Sequence, residues 1–245
     1  MATEVGDTIP LHRHPKPHRE LVRRYRTQWK DRDYRIAVAA SFFVFAGSVA
    51  ASLLAGHFAN TQASNPVDDL ILSNVPVVNV DFLFVYGTAV FVVFVAALAF
   101  AHPRRIPFTF FSLAIFFFIR AGFVMLTHIA PFPVQASANF GGTIREYFFG
   151  SDLFFSGHTG SPFLMALIFW HEYRLRVAFL AWSFFFAGVV LLGHLHYSID
   201  VASAYFITYT IFVLCEKWLP EYRTLFYSDW PEEQIPEDQE AATVV

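Results

Sequence analysis

Six apolar stretches of 17 to 21 residues fill most of the chain between Ile36 and Cys215, and they leave little choice of fold. They run over 36–56, 82–101, 106–126, 153–170, 177–193 and 199–215. A helix needs about 20 apolar residues to cross a hydrocarbon layer roughly 30 Å thick, because it rises about 1.5 Å per residue. Charged residues make up only 15% of the chain, against about 25% in a soluble domain. Thirty-one phenylalanines take up much of the difference. The pattern predicts an all-α integral membrane protein with six transmembrane helices.

Lys and Arg accumulate in cytoplasmic loops, so their placement predicts orientation. Residues 11–35 carry nine of them and three acids. Arg104 and Arg105, Arg174 and Arg176, and Lys217 and Arg223 fall on the same side, making fifteen. Only Arg145 falls on the other side, and Arg120 lies inside a span. Both termini are therefore expected in the cytoplasm. The first apolar run begins only at Ile36, which does not fit the early, short core of a secretory signal.

The expected division is a basic cytoplasmic arm (1–35), a six-helix membrane catalytic domain (36–218) and an acidic, disordered cytoplasmic tail (219–245). The arm lies on anionic head groups, at about 1 kcal/mol per basic residue near the surface. His12, His14 and His18 read as part of a solvated arm, and no nucleic-acid partner is expected. The single cysteine, Cys215, excludes an intrachain disulfide and reads as a small buried hydrophobe. Nothing in the sequence fixes an oligomeric state. The short polar loops fit a multi-pass protein of a bacterial inner membrane whose active site faces the periplasm, or the lumen in a eukaryote.

Polar groups inside a membrane are expensive and usually functional. Here they form three groups: Arg120, Thr127 and His128; Ser156, Gly157, His158 and Thr159; and His194, His196, Tyr197, Ser198 and Asp200. The predicted topology puts all three at the exterior surface. Thr127 is seven residues after Arg120, which on a continuous helix is two turns along the same face.

His196 and Asp200 stand four residues apart, so a helical turn brings them to one face. A carboxylate bonded to one ring nitrogen fixes the tautomer and raises the basicity of the other. That other nitrogen then serves as nucleophile or general base. Ser156 is placed to cap the fourth span, and Gly157 lets a substrate approach the backbone. Unpaired N–H groups at that helix start favour an anion, and Arg120 offers a fork shaped for phosphate oxygens. Two imidazoles, an orienting acid and an arginine beside a helix end suggest phosphoryl transfer on lipid head groups.

The motifs D-x-x-x-S-G-H-T (Asp152 to Thr159) and H-Y-S-I-D-V (His196 to Val201) resemble the type 2 phosphatidic-acid phosphatase superfamily, and within it the sphingomyelin synthase branch. R-x6-T-H-I-A-P (Arg120 to Pro131) is similar to a segment of that branch, and the resemblance covers roughly residues 66–218. It implies that His196 attacks phosphorus to form a phosphohistidine and that Asp200 orients it. It also implies that His158 protonates the departing alkoxide and then deprotonates the acceptor. Asp152 matches an acidic position that orients His158 or contacts the head group. Arg120, Thr127, Ser156, Gly157 and Tyr197 are the remaining substrate-binding candidates. No metal or other cofactor is implied. The chain departs from the pattern at Val189 and Val190, where the wider superfamily has Ser-Arg, and at Gly150, where animal relatives have Cys. "P-V-D-D" (Pro66 to Asp69) matches the branch only in part.

The expected activity is a lipid phosphotransferase. It moves a phosphocholine- or phosphoethanolamine-type group from a phospholipid donor to a lipid-alcohol acceptor such as ceramide or diacylglycerol. The nearest alternative is a lipid phosphatase or phospholipase C-like hydrolase with water as acceptor. A zinc amidase built on His158, His194 and His196 would leave Asp200 and Arg120 without a task. A non-catalytic lipid carrier would track its polar groups across the bilayer instead of gathering them at one surface.

Overall fold

The structure is a computed structural model that describes residues 17–136 and 153–228. The described residues are helical, with turns and loops between the helices and no strand. Five helices are long and apolar enough to cross a membrane, as in a multi-pass membrane protein.

A short basic helix, α1 (Pro17–Gln28), precedes α2 (Arg32–Gln62). Asp31 starts α2 by accepting the Asp33 N–H at 2.9 Å. Next come α3 (Asp81–Ala101), a 3-10 turn (Pro103–Arg105) and α4 (Ile106–Leu126). Pro107 stands in the first turn of α4, where a missing N–H costs no helical bond. Helix α5 (Gly157–Ile168) is short, and α6 (Tyr173–Leu192), α7 (Ser198–Trp218) and α8 (Pro220–Tyr227) complete the order.

Five of the six expected spans are long helices; the stretch 153–170 is not. Its helix, α5, has 12 residues, or about 18 Å at 1.5 Å per residue, well short of a crossing. The chain before it is held out of helical geometry: Phe155 has φ 30° and Ser156 caps the first turn. The chain turns again at Phe169 and Trp170. Most of α5 is buried, and it packs chiefly on α6 and α7. Gly160 makes this possible, because a Cβ there would lie 2.8 Å from Thr208 Oγ1 and 2.9 Å from the Phe116 ring.

Helix α2 packs mainly on α4. Its small buried residues Ala55 and Ala59 meet Ala121 and Val124, the close approach that holds helices together in lipid. Large apolar side chains such as Phe43, Phe82 and Phe206 point outward.

Bonds between connections fix how the helices alternate. Ser64 N–H donates to the His128 carbonyl at 2.8 Å, joining the ends of α2 and α4. Val78 N–H donates to the Leu192 carbonyl at 2.8 Å, joining the start of α3 to the end of α6. Ser156 N–H donates to the Asp200 carbonyl at 3.0 Å, joining the starts of α5 and α7. One end of the bundle thus gathers the last turns of α2, α4 and α6 and the first turns of α3, α5 and α7. At the opposite end Arg105 pairs with Glu172 at 2.7 Å, and Phe226 and Tyr227 of α8 enter the main core.

Candidate active site

The three polar groups of the sequence meet at the first of these ends. His196 Nδ1 lies 3.2 Å from Asp200 Oδ2, and both side chains are buried. The same Oδ2 accepts the Tyr197 N–H at 3.0 Å. Asp200 therefore holds the ring and the first turn of α7 at once. With Nδ1 facing the carboxylate, Nε2 is the nitrogen left for chemistry.

His158 is the second residue of α5 and is half-buried. Its ring packs on Phe84 of α3 at 4.2 Å between centroids and on Phe186 of α6 at 5.8 Å. It lies within coulombic range of both His196 and Arg120. Arg120 is buried, and its Nε donates to the Phe155 carbonyl at 3.2 Å. The left-handed backbone of Phe155 is a strained arrangement for a bulky residue. It supplies the carbonyl that Arg120 uses. Gly157 leaves room for the guanidinium, since a Cβ there would lie 3.0 Å from Arg120 Nε. Ser156 accepts the Thr159 N–H at 3.3 Å and so caps α5.

Thr127 follows the last residue of α4 in extended geometry (φ −136°, ψ 114°), so helical spacing does not carry it over Arg120. Tyr197 is buried, and its hydroxyl donates to the Ala130 carbonyl at 2.8 Å and accepts the Val67 N–H at 3.3 Å. It ties two loops to the start of α7. Asp152 and Arg145 lie outside the described residues. The His194 ring nitrogens face two backbone carbonyls, Val134 at 2.9 Å and Val75 at 3.1 Å. That engagement takes His194 away from any imidazole trio with His158 and His196. Among the described residues no cluster of three or more His, Cys, Asp or Glu is placed to hold a metal.

Three contributors were not singled out in the sequence. Asp69 Oδ2 accepts the Ser198 N–H at 2.7 Å and the Ser198 hydroxyl at 2.8 Å. Its Oδ1 accepts the N–H groups of Ile71 at 2.8 Å and Leu72 at 3.0 Å. Partial burial alone would raise the Asp69 pKa. The hydrogen bonds from Leu72, Ser198 and Ile71 outweigh it and hold the carboxyl below its ordinary range. An Asp followed by donors two and three residues on is an Asx-turn signal, but its reach to Ser198 has no local signature. Phe84 was hidden among many phenylalanines. Asp81, in the first turn of α3, is 7% exposed, and its Oδ1 has no hydrogen-bond partner among the described residues.

Below His158 and Arg120 a cavity of about 250 Å³ runs into the bundle between α2, α3, α4, α5 and α6. Thr88, Phe91 and Val95 line its α3 side, Phe117 its α4 side and Phe45 its α2 side. It is polar at the histidine and apolar away from it, the character of a site for an amphiphile.

Residues 150–217 match the family model described as PAP2 superfamily C-terminal. This match supports the type 2 phosphatidic-acid phosphatase superfamily and, with it, lipid phosphatase or phosphotransferase-type activity. The matched stretch holds His158, His196 and Asp200 and excludes Arg120, Asp69 and Asp81. No curated protein and no solved structure matches the chain at significance. Val189 and Val190, at the positions expected to hold Ser-Arg, are buried in an apolar cluster with Phe84 and Leu195.

Proposed function

We infer that the protein is a lipid phosphotransferase that works through a phosphohistidine on His196. The observation that carries this reading is the meeting of the His196–Asp200 pair, His158 and Arg120 above a cavity that suits an acyl chain. The donor is a glycerophospholipid with a phosphocholine- or phosphoethanolamine-type head group. Arg120 binds the phosphate oxygens, and the N–H groups at the start of α5 add to that hold. His196 Nε2 attacks phosphorus, and the bond from phosphorus to the diacylglycerol oxygen breaks. Protonated His158 gives its proton to that oxygen, and diacylglycerol leaves. The acceptor hydroxyl, on ceramide or another diacylglycerol, then loses its proton to His158 and attacks phosphorus. The His196–phosphorus bond breaks, and the free enzyme is restored. Asp200 holds the ring and balances its charge in both steps, and Asp152 orients His158 or the head group.

In this reading the bundle crosses the membrane six times, with α5 and its flanking turns as the fourth pass. Both termini lie in the cytoplasm, and the active site faces the periplasm or a lumen. One alternative has a specific observation behind it. Members of the matched superfamily are generally phosphatase-type enzymes, and water in place of the lipid alcohol would make this chain a phospholipase C-like hydrolase on a phosphodiester donor or a lipid phosphatase on a phosphomonoester.

Reconstitution in liposomes with head-group-labelled phosphatidylcholine, phosphatidylethanolamine or phosphatidic acid, with and without ceramide, tests both. A new labelled lipid that depends on the acceptor supports transfer. Label released into water without acceptor dependence makes the chain a hydrolase. No product from any donor overturns both.

A further inference from the structure

The mechanism above leaves one buried carboxyl near the histidine end without work. Asp81 opens α3, is 7% exposed, and has a buried Oδ1 with no hydrogen-bond partner among the described residues. A buried acceptor left unpaired is destabilising, so such a group is either strained or waiting for a ligand. Its backbone N–H is already taken by the Asn79 side chain at 3.0 Å.

Its position points to the ligand. Asp81, Phe84 and Thr88 lie at i, i+3 and i+7 and share the inward face of α3. Phe84 packs on the His158 ring, and Thr88 lines the cavity below it. Asp81 therefore stands about 4.5 Å from Phe84 along the helix, toward the helix start. Val80 and Phe84, on either side of it, pack with Leu195, the neighbour of His196. A carboxyl thus stands one helical turn from Phe84, whose ring packs on His158.

We propose that Asp81 binds the cationic amine of the donor head group and makes the site selective for zwitterionic phospholipids. This inference rests on the phosphotransferase reading and names the substrate class of the same site. An amine would give the buried Oδ1 a charged partner. A phosphomonoester such as phosphatidic acid would instead place its second negative charge near Asp81, where like charges repel.

The test uses the full chain in vesicles offered phosphatidylethanolamine, phosphatidylcholine or phosphatidic acid as donor, for the wild type, Asp81→Asn and Asp81→Glu. Asp81→Asn keeps the shape and removes the charge. The expected result is a fall of about 100-fold in the ratio of kcat/KM for amine-bearing donors to that for phosphatidic acid, with most of the ratio retained in Asp81→Glu. A ratio unchanged in Asp81→Asn overturns the proposal, whatever the absolute rates. If Asp81→Asn does not fold, competition in the wild type decides. Free phosphocholine should protect the protein against heat at roughly tenfold lower concentration than inorganic phosphate does, and equal potency overturns the proposal. Wild type inactive on every donor, yet protected selectively by phosphocholine, would sink the phosphotransferase reading and leave the amine site standing.

Discussion

The two ends of the helix bundle are built from different materials. At the end with the histidines, buried polar groups are held by backbone: Arg120 by the Phe155 carbonyl, Asp200 by the Tyr197 N–H, and Asp69 by three N–H groups. Two residues there, Phe155 and His194, have positive φ. At the other end the contacts are aromatic. Phe226 meets Phe108 at 5.7 Å and Phe169 at 5.3 Å, with Arg105 over both Phe169 and Phe226. Aromatic packing tolerates small shifts and contributes stability through buried area. A network of hydrogen bonds fixes position but leaves atoms such as Asp200 Oδ1 and Asp81 Oδ1 without partners among the described residues. One end is arranged for placement, the other for cohesion.

Mutations at the two ends should therefore separate activity from stability. The largest effect is expected at His196. His196→Ala should lower kcat/KM in the liposome assay by on the order of 10⁴-fold, with the protein still folded. Asp200→Asn should cost about 10²- to 10⁴-fold. His194→Ala should cost far less, because its ring is committed to the carbonyls of Val134 and Val75. Equal losses at His194 and His196 would erase the distinction between a reacting imidazole and a bracing one.

The reverse case is Phe226→Ala. Phe226 is fully buried, and its removal should cost about 3–5 kcal/mol of stability. Activity per folded molecule should hold. Thermal denaturation in detergent, paired with an activity assay on the surviving fraction, reads both.

Gly157→Ala should sharpen the claim that the histidine end depends on placement. The new methyl would press on Arg120 Nε at 3.0 Å. A displacement near 1 Å can cost on the order of 10²-fold in rate, so a loss of roughly 10- to 100-fold is expected with little change in melting temperature. Full activity would mean that the guanidinium does not need its present position.

The smallest effect concerns the clamp on α7. The Asp69 carboxyl is held below its ordinary range in the folded protein. Its contribution to stability is therefore present above the ordinary carboxylate range near pH 4 and is lost as pH falls through the lowered folded value. Asp69→Asn should melt lower than wild type at neutral pH, and the gap should close in strong acid. A gap that stays constant with pH would show that the charge of Asp69 is not what holds Ser198.

Much of this architecture was legible in the sequence, for local reasons. The apolar run 106–126 became α4 with the same bounds, because hydropathy and helical spacing report the same face. The four-residue spacing of His196 and Asp200 became a contact at 3.2 Å, and Ser156 became a cap. Features that depend on distant partners were not legible. The shortness of α5 comes from the turn at Phe155, whose carbonyl serves Arg120 from 35 positions away. Asp69 meets Ser198 across 129 positions. An acid in the first turn of a helix has a ready local explanation in the helix dipole. Nothing local marks Asp81 as holding a buried oxygen without a partner among the described residues.

The central claim is a covalent one, and the most direct measurement is the mass of the protein during turnover. Rapid mixing with phospholipid vesicles, quenching without acid, and peptide mass spectrometry should find the phospho-head group on His196 and on no other residue. The adduct should be absent in His196→Ala and should decay faster when lipid alcohol is added. Turnover at full rate with His196 unmodified, or with the adduct on His158, would contradict the account.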